Sequence, residues 1–386
     1  MRRVLTILTA IVLLVVSLGI GAFTADLPFW RRALQLPLPP GGVYLPTARI
    51  GAEGAVLAPA PQATEAFDPQ RVEAAVSLAR GRGSRALLVL YRGQLAIERY
   101  FVADDANTLL PATVMARPVV AMAAGIARAG TGVDLLDAPV SAVLPEWSDD
   151  PRGRITLRQL LEETSGLESG GDVHGLLERS PWKDFAGLPR FATARGVRML
   201  LGNDYESTAL AFRLEHEPGG FRNPSPANAQ LAAVVIERVS GQPYEEFVDQ
   251  KLWRRVGAGP AELQLDRRAG MPAAHCCWLA TARDMLRVAA LLGTDGRHGD
   301  DQVLPAGWVA EMTRPSRVSA ETGLQLRRLR LEGEESVAAA DGEGSGFWVI
   351  PSRQLVVLDI ASSAGQPGPP PDEIAALLMR ALVSAP

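Results

Sequence analysis

Lysine is nearly missing from this chain. Lys183 and Lys251 are the only two, and the other 37 of its 39 basic residues are arginine. A lysine acting as a general base would have to be one of these, because arginine stays protonated at any relevant pH. Cysteine is equally scarce. Cys276 and Cys277 are adjacent, which excludes a disulfide scaffold, and a bridge between them is disfavoured by the strain of closing it. The four histidines, His174, His216, His275 and His298, are scattered without metal-ligand spacing, so no metal or other cofactor is expected. The net charge of −4 carries no footprint for nucleic acid.

What the chain does have is apolar mass. With 386 residues, 47% hydrophobic and 21% charged, it is long enough for two lobes or one large domain, with the composition of a globular protein. Its first 25 residues read as a membrane signal. Arg2 and Arg3 precede an uncharged apolar run, Val4 to Phe23, whose 20 residues suit a hydrocarbon core of about 30 Å. The run is longer than the apolar core of most cleaved signals, which favours an uncleaved anchor, although Ile20-Gly21-Ala22 offers a cleavage site. In either case the arginines stay in the cytoplasm and the body is exported. Residues 26–65 read as a Pro/Gly-rich linker, with Pro37, Pro39, Pro40, Gly41 and Gly42 as a stiff spacer.

The folded body is predicted to begin near Phe67, with Asp68 as N-cap, Pro69 at the first helical position and Val72, Ala75, Val76 and Ala79 on one face. Arg85–Tyr91 and Gln94–Tyr100 read as strands joined at Arg92-Gly93. A largely helical middle follows. Pro118–Ala129 is apolar all round, Thr156 and Gln159 form a capping box, Asn228–Val239 stops at Gly241, and Thr281 and Asp284 open another helix. Gly346–Ile350 and Gln354–Ile360 return to strand, and a last helix carries Ile374, Leu377, Leu378, Ala381 and Leu382. This order implies an α+β fold.

Several stretches carry more than periodicity. They are Leu135-Leu136-Asp137-Ala138-Pro139-Val140, Ile155-Thr156-Leu157-Arg158-Gln159-Leu160-Leu161, Thr164-Ser165-Gly166-Leu167, Glu237-Arg238-Val239-Ser240-Gly241, Leu279-Ala280-Thr281-Ala282-Arg283-Asp284-Met285 and Leu304-Pro305-Ala306-Gly307-Trp308. Their joint order resembles the serine β-lactamase and penicillin-binding-protein-like hydrolase family, in its branch of esterases and amide hydrolases. The likeness runs from about Phe67 to the C-terminus. It implies a β-lactamase/transpeptidase-like architecture, with an antiparallel sheet flanked by terminal helices and an inserted all-helical lobe. The α/β lobe would hold residues of about 66–116 and 325–386, the helical lobe about 117–324, and the active site would lie between them.

The family's chemistry is not intact in this chain. A Ser-x-x-Lys turn puts nucleophile and base on one helix face, but the same register here holds Val114 and Arg117, followed by Pro118, which disfavours helix at Arg117. The Tyr-x-Asn register after Pro218-Gly219 falls on Pro224 and Pro226. The Lys-Thr-Gly or His-x-Gly edge falls on Ala339 to Asp341 or on Gly344-Ser345-Gly346, and neither lysine nor histidine occurs after His298. Three losses point to a pseudoenzyme, exported and membrane-tethered, that binds a peptide, a cell-wall fragment or a protein, with Arg117 offering a carboxylate site. The alternative is an active ester or amide hydrolase with a displaced nucleophile. Thr113, Ser180 (formally Ser-x-x-Lys with Lys183), Ser225 and Ser345 are the hydroxyls it would use. Thr113 suits an N-cap or turn, Ser180 a helix start before Pro181, and Ser225 a rigid turn.

Overall fold

The computed structural model describes residue 17 and residues 26–36, 43–55, 57–131, 134–171, 173, 188–340, 344–361 and 372–383. In chain order the elements that place the site are α1 (Leu27–Ala33), β1 (Thr47–Ile50), α2 (Pro69–Gly81), β2 (Ser84–Tyr91), β3 (Gln94–Tyr100), β4 (Leu110–Pro111) and α3 (Thr113–Thr131). These are followed by α4 (Leu157–Leu161), α5 (Tyr205–Leu210), α6 (Pro226–Ser240), β5 (Ala261–Gln264), β6 (Trp278–Ala280) and α7 (Ala282–Ala290). The small ribbon β7 (Arg297–His298) and β8 (Asp301–Gln302) leads to β9 (Arg327–Leu331), β10 (Glu334–Ala340), β11 (Gly346–Ile350), β12 (Leu355–Ala361) and α8 (Glu373–Ala381).

The main sheet joins both ends of the chain. Its order is β3-β2-β12-β11-β10-β9, with every neighbouring pair antiparallel. Alternate residues on a strand face opposite sides. Leu87 and Val89 of β2 join Val357 of β12 under the terminal helices, where they meet Val72, Ala75 and Val76 of α2 and Ile374 and Leu378 of α8. Ala86, Leu88 and Leu90 turn the other way, with Leu358 and Ile360, onto α3 and α7. Asp68 caps α2 through the amides of Gln70 and Arg71, and its own amide donates to Ala381, tying the two terminal helices together.

α3 is the central helix, with Val114 to Gly125 buried throughout except for the half-exposed Arg117. It is continuous through Pro118, so the expected break at Arg117 does not occur. Proline here removes one bond, to the carbonyl of Val114, at a cost of about 3 kcal/mol or more. Burial of the whole apolar helix offsets that cost.

Two expectations about the organisation are corrected. Residues 26–65 are not a free linker. α1 buries Phe29 and Ala33 against Phe191, Val197 and Leu201, and β1 pairs with β5 along Thr47–Ile50. Residues 37–42, the expected spacer, lie outside the described residues. The inserted lobe is not wholly helical either, since it contributes β5 and β6 to a second sheet of order β1-β5-β6-β4. No helix among the described residues is long and apolar enough to cross a membrane, and Val4–Phe23, Ser17 apart, falls outside them.

Gly125 shows how tightly α3 is held. A Cβ there would lie 2.3 Å from the ring of Trp308, whose indole N–H donates to Ala121 O at 3.1 Å. Gly125→Ala is expected to lower the unfolding free energy by about 1–3 kcal/mol in urea titration, although alanine is the better helix former.

Candidate functional site

The cleft position is built where the start of α3, the turn after α4, the start of α6 and the loop before β6 meet. Thr113 and Val114 are the first two residues of α3, and Val114 is buried at 3% exposure. A valine methyl carries no electron pair for attack. Three residues on, Arg117 lies 3.5 Å from Glu163, its guanidinium about one-third exposed and the carboxylate almost wholly buried. A permanently protonated group paired to a carboxylate cannot take a proton from anything.

Glu163 is the hub. It follows the helix that Thr156 and Gln159 open with their capping box, and it turns the chain with a left-handed φ of +61°. One carboxylate oxygen accepts from Gln325 Nε2 at 3.0 Å. The other accepts from the amide of Ser225 at 2.9 Å and from Asn228 Nδ2 at 3.3 Å. Its backbone carbonyl accepts from the amide of Asn223 at 2.7 Å. Asn223 and Ser225, on either side of Pro224, are thus both pinned to Glu163, and Pro224 itself projects to solvent.

Of the candidate hydroxyls, those of Ser225 and Ser345 are engaged in structure. Ser225 is the N-cap of α6, with Pro226 at the helix start; its Oγ donates to Glu168 O at 2.7 Å and accepts from the amide of Ala227. That capping role accounts for its buried position. Ser165 donates to Asn228 Oδ1 at 2.5 Å. Gly344, with φ +100°, leads into Ser345, whose Oγ accepts from the amide of Ala361 at 3.1 Å where β11 begins beside β12. Ser180 and Lys183 fall outside the described residues.

Sequence reasoning missed Glu163 and gave no role to His275. His275 is buried beside Gln230, whose Oε1 lies 3.2 Å from Nδ1 and also accepts the amide of Ala274. Burial first, and then the charge of Arg117, push its pKa down to about 3. Such an imidazole is neutral and a poor base near neutral pH. Next to it, Cys276 and Cys277 form a disulfide, contrary to the expectation from strain. Cys277 sits at a left-handed φ of +66°, and its carbonyl accepts the amide of Gln264, which holds the turn at the edge of β5. No free thiol remains among the described residues. The described residues also hold no cluster of side chains suited to a metal ion.

This architecture, with a central helix that opens at Thr113, is that of a serine β-lactamase-like hydrolase. The Beta-lactamase family profile matches residues 68–381, and the chain belongs to that family. A curated relative, the 6-aminohexanoate-dimer hydrolase of Paenarthrobacter ureafaciens, is 26% identical over 149 residues, which covers 35% of this chain but only 38% of the relative. Among solved structures, a Bacillus anthracis protein provisionally assigned as a 6-aminohexanoate-dimer hydrolase superposes with a TM-score of 0.69 at 19% identity, covering 87% of this chain and 89% of its own. The octameric penicillin-binding protein homologue of Pyrococcus abyssi gives 0.63 at 18%, covering 82% and 77%. At these identities the solved structures show the shared fold.

His275 leads to a pH prediction. Its pKa is depressed in the folded state, so the stability linked to it is complete above the ordinary value of 6.5 and is lost as pH falls toward about 3. Between pH 7 and 4.5 the native protein should lose up to about 3 kcal/mol more unfolding free energy than His275→Gln. Urea titrations of both proteins at the two pH values measure this difference.

Proposed function

We propose that this chain is a catalytically inactive member of the β-lactamase family, exported and tethered to the membrane, which binds a ligand through what remains of the cleft. The observation that carries this reading is the start of α3: a buried Val114 stands in the nucleophile register, and Arg117, paired with Glu163 at 3.5 Å, stands in the register of the base. The proline at position 224 adds to it, since it has no phenol to move a proton. The apolar run Val4–Phe23 after Arg2 and Arg3 supports the tether and the outward orientation.

The ligand is a peptide, cell-wall fragment or protein with a carboxylate for Arg117, whose guanidinium keeps unused donors facing solvent. The relatives' name supplies a fitting small probe, because a 6-aminohexanoate dimer is a linear amide ending in a carboxylate. Arg117→Glu should abolish binding of that dimer in calorimetry if the carboxylate sits there. Unchanged affinity would remove Arg117 from the ligand site.

Catalytic silence is tested separately. The soluble body is incubated with a fluorophosphonate and, in a second sample, with a penicillin, and its intact mass is measured beside an active family member. No adduct is expected on the folded protein. A stoichiometric adduct mapped to one hydroxyl would overturn the reading and identify the displaced nucleophile.

A further inference from the structure

We propose that the face carrying α1 rests directly on the lipid surface, so that the body is held against the bilayer and not on a stalk. The inference rests on the membrane-anchor reading of Val4–Phe23. It adds how the body is oriented and what it touches.

Three observations support it. First, α1 is locked into the body. Arg32 is only 4% exposed and donates to the carbonyls of Gly202 at 2.5 Å, Leu265 at 2.6 Å and Asp266 at 2.9 Å. Asp26, just before the helix, accepts from Arg198 at 2.5 Å, and Phe29 and Ala33 are fully buried. Pulling α1 away would leave a buried guanidinium without acceptors, so α1 does not act as a swivel. Second, Thr24, Ala25 and Asp26 are all that separate Phe23 from Leu27. A fully extended chain of that length spans on the order of 14 Å, which bounds the distance from the end of the apolar run to the docked helix. The Pro/Gly stretch 37–42 comes after α1, between two docked segments, and cannot act as a spacer from the membrane.

Third, the surface there is apolar and basic. Leu34, at 56% exposure, follows α1 directly, and Leu45, at 79%, stands in the segment between α1 and β1, where its carbonyl accepts from Arg32 at 3.4 Å. These are two of the five large hydrophobic side chains left exposed among the described residues. Arg31 projects to solvent from the same helix. Leucines flanked by an arginine beside a membrane-embedded segment match the headgroup–acyl boundary, where apolar side chains are buried and the cation meets lipid phosphate.

The test uses the full chain in vesicles of phosphatidylcholine and phosphatidylglycerol. An environment-sensitive fluorophore is attached through Leu34→Cys, Leu45→Cys or Val102→Cys; both native cysteines are disulfide-bonded and do not compete. Val102 is 97% exposed and follows β3, the edge strand of the main sheet. Labels at 34 and 45 should shift to the blue and be quenched by lipid-phase nitroxide about twofold or more above the label at 102. If all three labels behave alike while the chain floats with the vesicles, the tether stands and the docked face is wrong. If the chain does not float, and its mass after expression lacks the apolar run, the anchor itself fails and the docked face fails with it.

Discussion

A buried carboxylate holds the segments around the start of α3 and α6 together. Glu163 is out of water, and an isolated ionised carboxylate cannot remain there without partners. Its acceptor sites are therefore filled from three separate parts of the chain: the start of α6, the segment before β9 and the second turn of α3. Satisfying one charge fixes the mutual placement of all three. The left-handed φ of Glu163 costs on the order of 1 kcal/mol, and it is what aims the side chain at them.

Here polar groups satisfy one another. Ser165 holds Asn228, Asn228 holds Glu163, and Glu163 holds the chain on both sides of Pro224. Arg117 closes the set from α3, at a distance of 3.5 Å that makes it the loosest contact of the group. The Arg117 side chain stays about one-third exposed beside that contact. The neutral His275 and the bridged Cys276–Cys277 line the neighbouring loop without adding a base or a thiol.

Much of the fold was legible in the sequence, because local chemistry and tertiary packing agree. Asp68 with Pro69, Thr156 with Gln159, Thr281 before Asp284 and Gly241 after Ser240 mark real helix ends. β9 and β10 were missed because β9 is an edge strand crowded with arginines, which hides the period-two pattern, and β5 and β6 are too short to show one. The prolines and glycines of 37–42 drew attention from Phe29, Arg32 and Tyr44, whose burial depends on partners more than 150 residues away in sequence. Register alone names the residues at 114, 117, 224 and 226. It does not name Glu163, since its partners lie 46, 62, 65 and 162 positions along the chain and no local spacing signals them.

The most direct test of the Glu163 account is the unfolding free energy of Glu163→Ala, measured by urea titration against the unchanged protein. The substitution removes the acceptor from Ser225 N–H, Asn228 Nδ2 and Gln325 Nε2 together. Each orphaned donor costs about 1–3 kcal/mol, so a loss of roughly 3 kcal/mol or more is expected. A loss under about 0.5 kcal/mol, the range of an ordinary surface change, would contradict the claim that this carboxylate holds these segments together.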